Sequence, residues 1–364
     1  MAFTACLGVV FLVALAVVAV GVPIVRAVAL RHGLVDRPAA RKVHARATPT
    51  SGGVTFYVAL AAGLLVFYLL RPAGFSLPGA ATVLDLGPEP GLRYLSRMFS
   101  YLLVALMILA GAGLYDDAFN LRARVKLVLQ VLAASLVYLG GFRITQITGL
   151  ATDVLPLPAL LSYLVTVAWI VGLTNAINFM DGLDGLAAGV CAVAAGSLLV
   201  ISLAGGDHAA SLLYTIILAA SLGFLGYNFH PARIFMGDCG SMFLGFMLAV
   251  AAIVGTSKGT TFLALLLPVG LPIFDVFSAV FRRRSAGRSM MRADRSHLHH
   301  RLLDLGFSYR TVVWVFYGVS LVLGLSAIIA AQLHPRYTLL LIVNFVIATV
   351  LASYVLEFIE AKVR

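Results

Sequence analysis

Charged residues are scarce in this 364-residue chain: they make up 11% of it, whereas hydrophobic residues make up 61%. A soluble domain carries about 25% charged residues. So few polar side chains cannot cover a surface exposed to water, which excludes a soluble enzyme, a disordered protein and a nucleic-acid-binding module built on charge. Cysteine is scarce as well, and the wide spacing of Cys6, Cys191 and Cys239 predicts neither a disulfide framework nor a CxxC metal site.

Long apolar runs fill the chain instead, and they predict an all-α polytopic membrane protein that forms a single domain over residues 1–364. A membrane-spanning helix needs about 20 mostly apolar residues. Alternating polar and apolar residues over 142–150 predict a small external β-hairpin. The sequence offers eleven candidate spans, near residues 4–25, 52–70, 99–115, 126–141, 159–176, 186–204, 209–227, 240–256, 261–281, 311–333 and 338–357.

The basic residues predict the orientation of these spans. Twenty of the 26 Lys and Arg residues fall in alternate connecting segments and in the C-terminal segment, although one of these segments, 175–185, carries none. Lys and Arg concentrate in cytoplasmic loops, so the N-terminus is expected outside and the C-terminus in the cytoplasm. An arginine run beside a span also suits contact with anionic membrane lipids, and no nucleic-acid partner is expected. The cytoplasmic loops are 26–51, 116–126, 175–185, 228–239 and 282–310.

Two adjacent carboxylates, Asp116 and Asp117, end the third span. Like charges at a helix C-terminus repel each other and oppose the helix dipole, so they indicate a bound cation or phosphate chemistry. A solvated pair of acids is the simpler alternative. Lys126 follows with Arg122 and Arg124 between, and topology alone accounts for the two arginines.

Two further loops carry oxygen ligands. Asn178, Asp181 and Asp184 recur at every third position beside two glycines, which suits a hard cation such as Mg²⁺; a capped polar turn is the alternative. Asp238 has a glycine on each side in sequence order, which lets a ligand approach closely. Phe235, just before it, suits either stacking on a flat base or packing in the core.

The fourth loop contains His297, His299, His300 and Arg301. These side chains suit an anionic substrate better than zinc, because no cysteine lies near them. Asp275 lies inside the ninth span, where a carboxylate indicates either function or a partner for a neighbouring basic residue. A transporter is the non-enzyme alternative, but it would place its ionisable residues near the bilayer midplane and show internal repeats.

These loops resemble, in order and spacing, those of the polyprenyl-phosphate N-acetylhexosamine-1-phosphate transferase family, which has WecA-like, TagO-like and MraY-like members. The His-x-His-His-Arg form is similar to the WecA/TagO branch, since the MraY branch usually has three consecutive histidines there. The resemblance therefore favours UDP-GlcNAc as donor, with a muramyl-pentapeptide donor as the alternative. It is carried by Asp116-Asp117 to Lys126, residues 175–186, 235–241 and 297–301, and a first loop with Asp36, Lys42, His44 and Thr48–Gly53.

The resemblance implies that polyprenyl phosphate attacks the β-phosphate of a UDP-sugar, releasing UMP, at the inner membrane of a bacterial cell with the site facing the cytoplasm. It implies Mg²⁺, with Mn²⁺ as an alternative. The sequence does not show the oligomeric state, and a homodimer is left open. The roles it carries over are Asp116, Asp117 and Asp238 in catalysis; Asp238, Asn178 and Asp117 at the metal; Lys126, His297, His299, His300 and Arg301 at the diphosphate or sugar; Asp184, Asn228 and Phe235 at uridine; and Asp181, Lys42 and His44 in support.

Overall fold

A computed structural model describes residues 3–37, 47–70, 90–148, 154–255, 266–285, 297–333 and 335–363. This part of the chain forms helices and two small antiparallel strand pairs. The helices are α1 (Phe3–Arg31), α2 (Val54–Leu70), α3 (Pro90–Phe119), α4 (Ala123–Gly140), α5 (Ala159–Met180), α6 (Leu186–Ala204), α7 (His208–Asn228), α8 (Gly237–Gly255), α9 (Gly270–Ser285), α10 (Leu298–Asp304), α11 (Tyr309–Ala330) and α12 (Pro335–Val363). The strands are β1 (Val35–Asp36), β2 (Thr48–Pro49), β3 (Gln146–Thr148) and β4 (Val154–Pro156).

The helices have the length and composition of membrane spans. Among the described residues, eight helices have an apolar stretch long enough to cross a membrane: α1, α3, α4, α5, α6, α7, α8 and α11. Shorter apolar helices cover Val54–Leu70, Gly270–Val280 and Tyr337–Leu351. The predicted all-α polytopic membrane fold is confirmed. The count of eleven crossings and the side on which each terminus lies stay predictions.

Helix α8 lies at the centre of the bundle. Of its apolar stretch 83% is buried, against 28% for α4 at the outside. It packs against α3, α5 and α7, while α1 packs on α2 and α7, and α6 packs between α7 and α11. Large apolar side chains on the outer helices, such as Leu160 and Trp314, are exposed and suit contact with lipid.

Glycines let three segments approach α8 closely. A Cβ on Gly113 of α3 would overlap the backbone of Cys239, and a Cβ on Gly53, just before α2, would overlap Gly240. Gly245 of α8 lies against Thr174 of α5, where an added Cβ would lie 2.7 Å from the Thr174 Cα. Small residues at crossings allow membrane helices to pack at short range. As a result, the C-terminal ends of α3 and α5 meet the N-terminal end of α8.

The strand pairs lie in connecting segments. β3 pairs with β4, with Ile147 opposite Leu155, which fits the small hairpin predicted near 142–150. The other pair was not foreseen: β1 and β2 place Asp36 opposite Thr48 in the first predicted cytoplasmic loop. Lys42 and His44, predicted to support the site, lie outside the described residues.

Candidate active site

A pocket of about 540 Å³ opens where the ends of α3 and α5 meet the start of α8. Four of the predicted cytoplasmic loops contribute to it: 116–126, 175–185, 228–239 and 282–310. The first loop adds Asp36 and Arg37. The structure thus brings together residues that are far apart in the sequence. The predicted site residues that line the pocket are Asp116, Asp117, Asn178, Asp181, Asp184, Asn228, Phe235, Asp238 and His300.

Asp117 is held against the first residues of α8. Its Oδ1 accepts a hydrogen bond of 2.8 Å from the backbone N–H of Asp238, and its Oδ2 accepts one of 2.9 Å from Ser51 Oγ. The two donors fix the orientation of the Asp117 carboxyl group at the N-terminus of α8. Gly237 has a φ of +69° and lies so close to Asp117 that a Cβ would overlap the carboxylate. Only glycine fits there.

Asp116 faces the start of α4 rather than α8. Its Oδ1 accepts a hydrogen bond of 2.7 Å from Leu121 N–H, and its Oδ2 lies 3.0 Å from Lys126 Nζ. The same ammonium group forms an ion pair with Asp238 Oδ2. Lys126 therefore bridges carboxylates from α3 and α8. It differs in this from Arg122 and Arg124, which are exposed.

Asn178 is oriented by the start of α8. Its Nδ2 donates to Ser241 Oγ at 2.8 Å, and Ser241 in turn donates to the carbonyl of Gly237 at 3.1 Å. Within the described chain no donor is bound to Asn178 Oδ1. This oxygen is therefore available to a ligand in the pocket that it lines. Ser241 therefore links the Asn178 amide to the first turn of α8.

Asp181 adds a carboxyl group to the pocket. Burial raises the pKa of Asp181 well above its usual value, and the negative charges of Asp238, Asp117 and Asp184 raise the pKa further. No hydrogen bond to this carboxyl group comes from the described residues. A cation in the pocket would relieve this repulsion, because an opposite charge favours the ionised carboxylate.

The donor set fits a magnesium ion that is shared with a substrate. Among the described residues no three or more His, Cys, Asp or Glu side chains are arranged as a metal cluster, so a cation here would need further ligands from water or a substrate. Mg²⁺ typically binds through one or two carboxylates, waters and substrate phosphates. Asp117, Asp238 and Asn178 supply such oxygens on one pocket wall.

The far side of the pocket is built by Asp184 and Asn228. Asp184 Oδ2 accepts hydrogen bonds from His230 Nδ1 at 2.8 Å and from Ala232 N–H at 3.0 Å. Asn228 is buried; its Oδ1 accepts from Gly185 N–H at 2.9 Å and its Nδ2 donates to a backbone carbonyl. Both groups of the Asn228 amide thus hold the loops together, and each keeps one further hydrogen-bonding position, so the predicted contact of Asn228 with uridine stays a prediction.

The histidine motif is divided between two environments. His300 lines the pocket, whereas His297, His299 and Arg301 are buried outside it. Burial, together with the nearby His300 and His297, lowers the pKa of His299 to about 3 against the opposing effect of Asp275. His299 is therefore neutral, which differs from the cationic phosphate donor expected from the sequence.

Known proteins are similar to this chain in sequence. A family model described as glycosyl transferase family 4 matches residues 99–256. A Bacillus subtilis protein, the probable undecaprenyl-phosphate N-acetylglucosaminyl 1-phosphate transferase, is 33% identical over 97% of this chain and 93% of its own length. The chain belongs to the polyprenyl-phosphate N-acetylhexosamine-1-phosphate transferase family. The resemblance carried by the loops is thereby confirmed.

Both branches of the transferase family are represented among similar proteins. The decaprenyl-phosphate N-acetylglucosaminephosphotransferase of Mycobacterium tuberculosis is 33% identical over 91% of this chain and 84% of its own length. The phospho-N-acetylmuramoyl-pentapeptide-transferase of Desulforudis audaxviator is 33% identical over 87% and 94%. Overall identity therefore does not separate the branches.

In this family member the sequence motifs located the pocket but missed some of its residues. Ser51, which holds Asp117, lies in the quoted first loop and gave no signal by itself. His230 lies in the loop 228–239, and its ring stacks on that of Tyr309 with the ring centroids 4.2 Å apart. Tyr309 begins α11, and its hydroxyl also contacts the backbone N–H of Asp184. Nothing in the local sequence of Tyr309 indicates a site, because its partners lie in other loops.

Proposed function

We propose that this membrane transferase moves GlcNAc-1-phosphate from UDP-GlcNAc to a polyprenyl phosphate. An oxygen of the lipid phosphate bonds to the β-phosphorus, the bond from that phosphorus to the bridging oxygen breaks, and UMP leaves. The product is polyprenyl-diphosphate-GlcNAc, the first membrane intermediate of a cell-envelope polysaccharide. The observation that carries the proposal is the meeting of Asp117, Asp238 and Asn178 in one pocket at an end of the membrane bundle.

Asp238, Asp117 and Asn178 would hold Mg²⁺, which when bound neutralises charge on the diphosphate. Ser51 and the N–H of Asp238 hold the carboxyl group of Asp117 in a fixed orientation. Lys126 keeps Asp116 in place through an ion pair of 3.0 Å. These contacts suit carboxylates that orient the reacting groups.

The chemistry needs little help from a base. A phosphate monoester has a second pKa of about 6, so the lipid phosphate is largely dianionic near neutral pH. Both carboxylates of the pair are already engaged by hydrogen-bond donors, which makes each a weaker nucleophile. Direct displacement by the lipid phosphate is therefore proposed over a covalent aspartyl-phosphate. Exchange of labelled UMP into the UDP-sugar in the absence of lipid would contradict direct displacement.

The lipid substrate is proposed to reach the pocket from the side of α3. Tyr115 and Phe119 flank the carboxylate pair on this helix, and both are exposed, with ring centroids 5.0 Å apart. Apolar groups beside a charged pocket suit a lipid chain whose phosphate lies at the membrane interface. The basic loops support a site that faces the cytoplasm at the inner membrane.

The UDP-GlcNAc assignment is supported by the His297–Arg301 motif and by the long match to the Bacillus subtilis relative. The identity to the Desulforudis audaxviator relative supports a muramyl-pentapeptide donor as the second candidate. A panel of UDP-sugars, assayed for UMP release with polyprenyl phosphate and Mg²⁺, separates the two. Release with the muramyl-pentapeptide nucleotide alone would overturn the first assignment.

The same assay separates a transferase from a transporter. Purified protein should release UMP only when donor, lipid phosphate and Mg²⁺ are all present. Asp238→Asn should abolish release, because it removes a charge that the metal and Lys126 share. Asp304→Asn is the matched control, since Asp304 is exposed and does not line the pocket. UMP release by Asp238→Asn at the wild-type rate would contradict the proposed site.

A further inference from the structure

Asp275 of α9 is a carboxylate enclosed by the bundle, with an exposed fraction of 1%. Its Oδ2 lies 3.0 Å from Nδ1 of His297, and its Oδ1 accepts a hydrogen bond of 2.7 Å from the backbone N–H of Leu298. These are its contacts with charged or N–H groups in the described chain, so the basic partner that the sequence left open as an alternative is His297, which is 22 positions away in the sequence. Burying a carboxylate inside a membrane bundle costs free energy, so its contacts indicate a functional role.

Both contacts are made to the beginning of α10. This helix has only seven residues, and its N-cap, His297, makes no side-chain capping bond of its own. Helices this short are not stable alone. A carboxylate that accepts the first N–H group stabilises a helix both as a cap and through the helix dipole. Asp275 takes this position from another helix and so fixes where α10 begins.

A second contact fixes the middle of α10. The ring of His299 lies against Gly182 in the pocket loop, where an added Cβ would lie 2.5 Å from His299 Nε2. The neutral state of His299 permits this enclosure, because a charged ring without a partner would be expensive to bury. The residue that follows, His300, lines the pocket. The position of His300 is thus set by Asp275 on one side and by Gly182 on the other.

We propose that Asp275 is a positioning residue, which holds His297 and the start of α10 so that His300 stays on the pocket wall. The inference rests on the proposed function and adds to it a residue that does not itself line the pocket. The hydrogen bond to the carboxylate also fixes Nδ1 of His297 as the donor, because an ionised carboxylate can only accept.

Asp275→Asn tests this directly. The amide oxygen still accepts from Leu298 N–H, but its NH₂ group cannot accept from His297 Nδ1–H. We expect kcat/KM for the UDP-sugar to fall at least about tenfold, the cost of one charge-assisted hydrogen bond, with the KM for polyprenyl phosphate unchanged. Ser278→Ala is the matched control on the same helix, since within the described chain the Ser278 hydroxyl bonds only the backbone carbonyl of Asp275, and its kinetics should match wild type.

A double-variant cycle distinguishes positioning from general damage. His297→Gln should reproduce the kinetic effect of Asp275→Asn, and the double variant should be no worse than either single variant, because both remove one contact. Additive losses would overturn the inference.

The second readout is structural and needs no activity. Diethylpyrocarbonate modification of the full-length protein in detergent, followed by peptide mass spectrometry, reports histidine exposure. In wild type His299 should be protected, since it is 1% exposed, and in Asp275→Asn it should react. Protection of His299 in that variant, with unchanged kinetics, overturns the inference. If wild type releases no UMP but the variant exposes His299, the proposed function fails while the anchoring of α10 stands.

Discussion

Asp117 and Asp238, 121 positions apart in the sequence, are joined by a hydrogen bond of 2.8 Å from the backbone N–H of Asp238 to Oδ1 of Asp117. The contact couples the last turn of α3 to the first turn of α8, and Ser51 holds the other oxygen of Asp117. A carboxylate placed in this way stabilises the start of α8 and presents its remaining lone pairs to the pocket. The position of the Asp117 carboxylate and the packing of α3 against α8 therefore depend on each other.

We expect Ser51 to affect the transferase activity only through its hydroxyl group. Replacing Ser51 by Ala removes one hydrogen bond to a carboxylate, and we expect kcat to fall about tenfold. Ser51 has a φ of +67°, which glycine adopts without strain. Ser51→Gly is therefore the control that removes the hydroxyl and relieves the backbone. Equal kinetic losses in both variants support the hydroxyl, while full activity in Ser51→Gly would assign any loss to the backbone.

The crossing of α3 and α8 should tolerate no side chain at Gly113. Gly113→Ala would overlap Cys239, so the helices must separate at the point that positions Asp117. Overpacking of this kind costs about 1–3 kcal/mol. We expect a lower Tm in detergent and a loss of UMP release. Gly111→Ala, two positions earlier in the same helix, is the matched control, because its Cβ would meet nothing within 4 Å; a similar Tm loss in both variants would contradict the argument.

Lys126 should be essential where its neighbour Arg124 is not. Lys126→Met leaves two carboxylates without their shared cation, and we expect UMP release to fall by at least about tenfold. Arg124→Met should retain activity, since the exposed arginine serves topology. Initial rates at saturating Mg²⁺ check both. Equal losses of UMP release in the two variants would contradict a specific role for Lys126 in the site.

His299 should make the folded protein sensitive to acid. The pKa of His299 is about 3 in the folded protein, whereas the pKa of a histidine in an unfolded chain is about 6.5. Between these two pH values the unfolded chain therefore binds one proton more than the folded protein. Stability therefore falls as the pH is lowered through this range, by about 1.4 kcal/mol per pH unit for this group, and is unaffected above it. Melting in detergent at pH 7 and pH 5 should show a smaller acid-induced drop for His299→Gln than for wild type. Parallel drops would contradict a buried neutral His299.

The membrane class was predictable from the sequence because long apolar runs have a length that reports directly on the bilayer. The motifs were equally informative in combination. Asp116, Asn178, Asp238 and His300 carry the family resemblance in order, and the structure places all four on one pocket. The small hairpin could be read from alternation over 142–150, which is a local signal.

The site details were not predictable in the same way. Lys126 belonged by sequence to a basic cluster, and only the approach of α4 to α8 shows that it bridges Asp116 and Asp238. The motif around His299 predicted cationic donors, but a neutral buried ring is found, because burial depends on which loop covers it. Magnesium, the metal ligands, the orientation of the termini and a homodimer stay predictions.

Local composition thus determined that the chain is a bundle of apolar helices, and which loops hold its carboxylates, amides and histidines. The tertiary structure alone decided how these side chains are used: Asp117 caps a helix from another part of the chain, and Asp275 reaches the start of α10. The physical reason is that hydropathy is a property of each segment by itself, whereas a hydrogen bond between remote residues depends on the glycine crossings that bring the helix ends together.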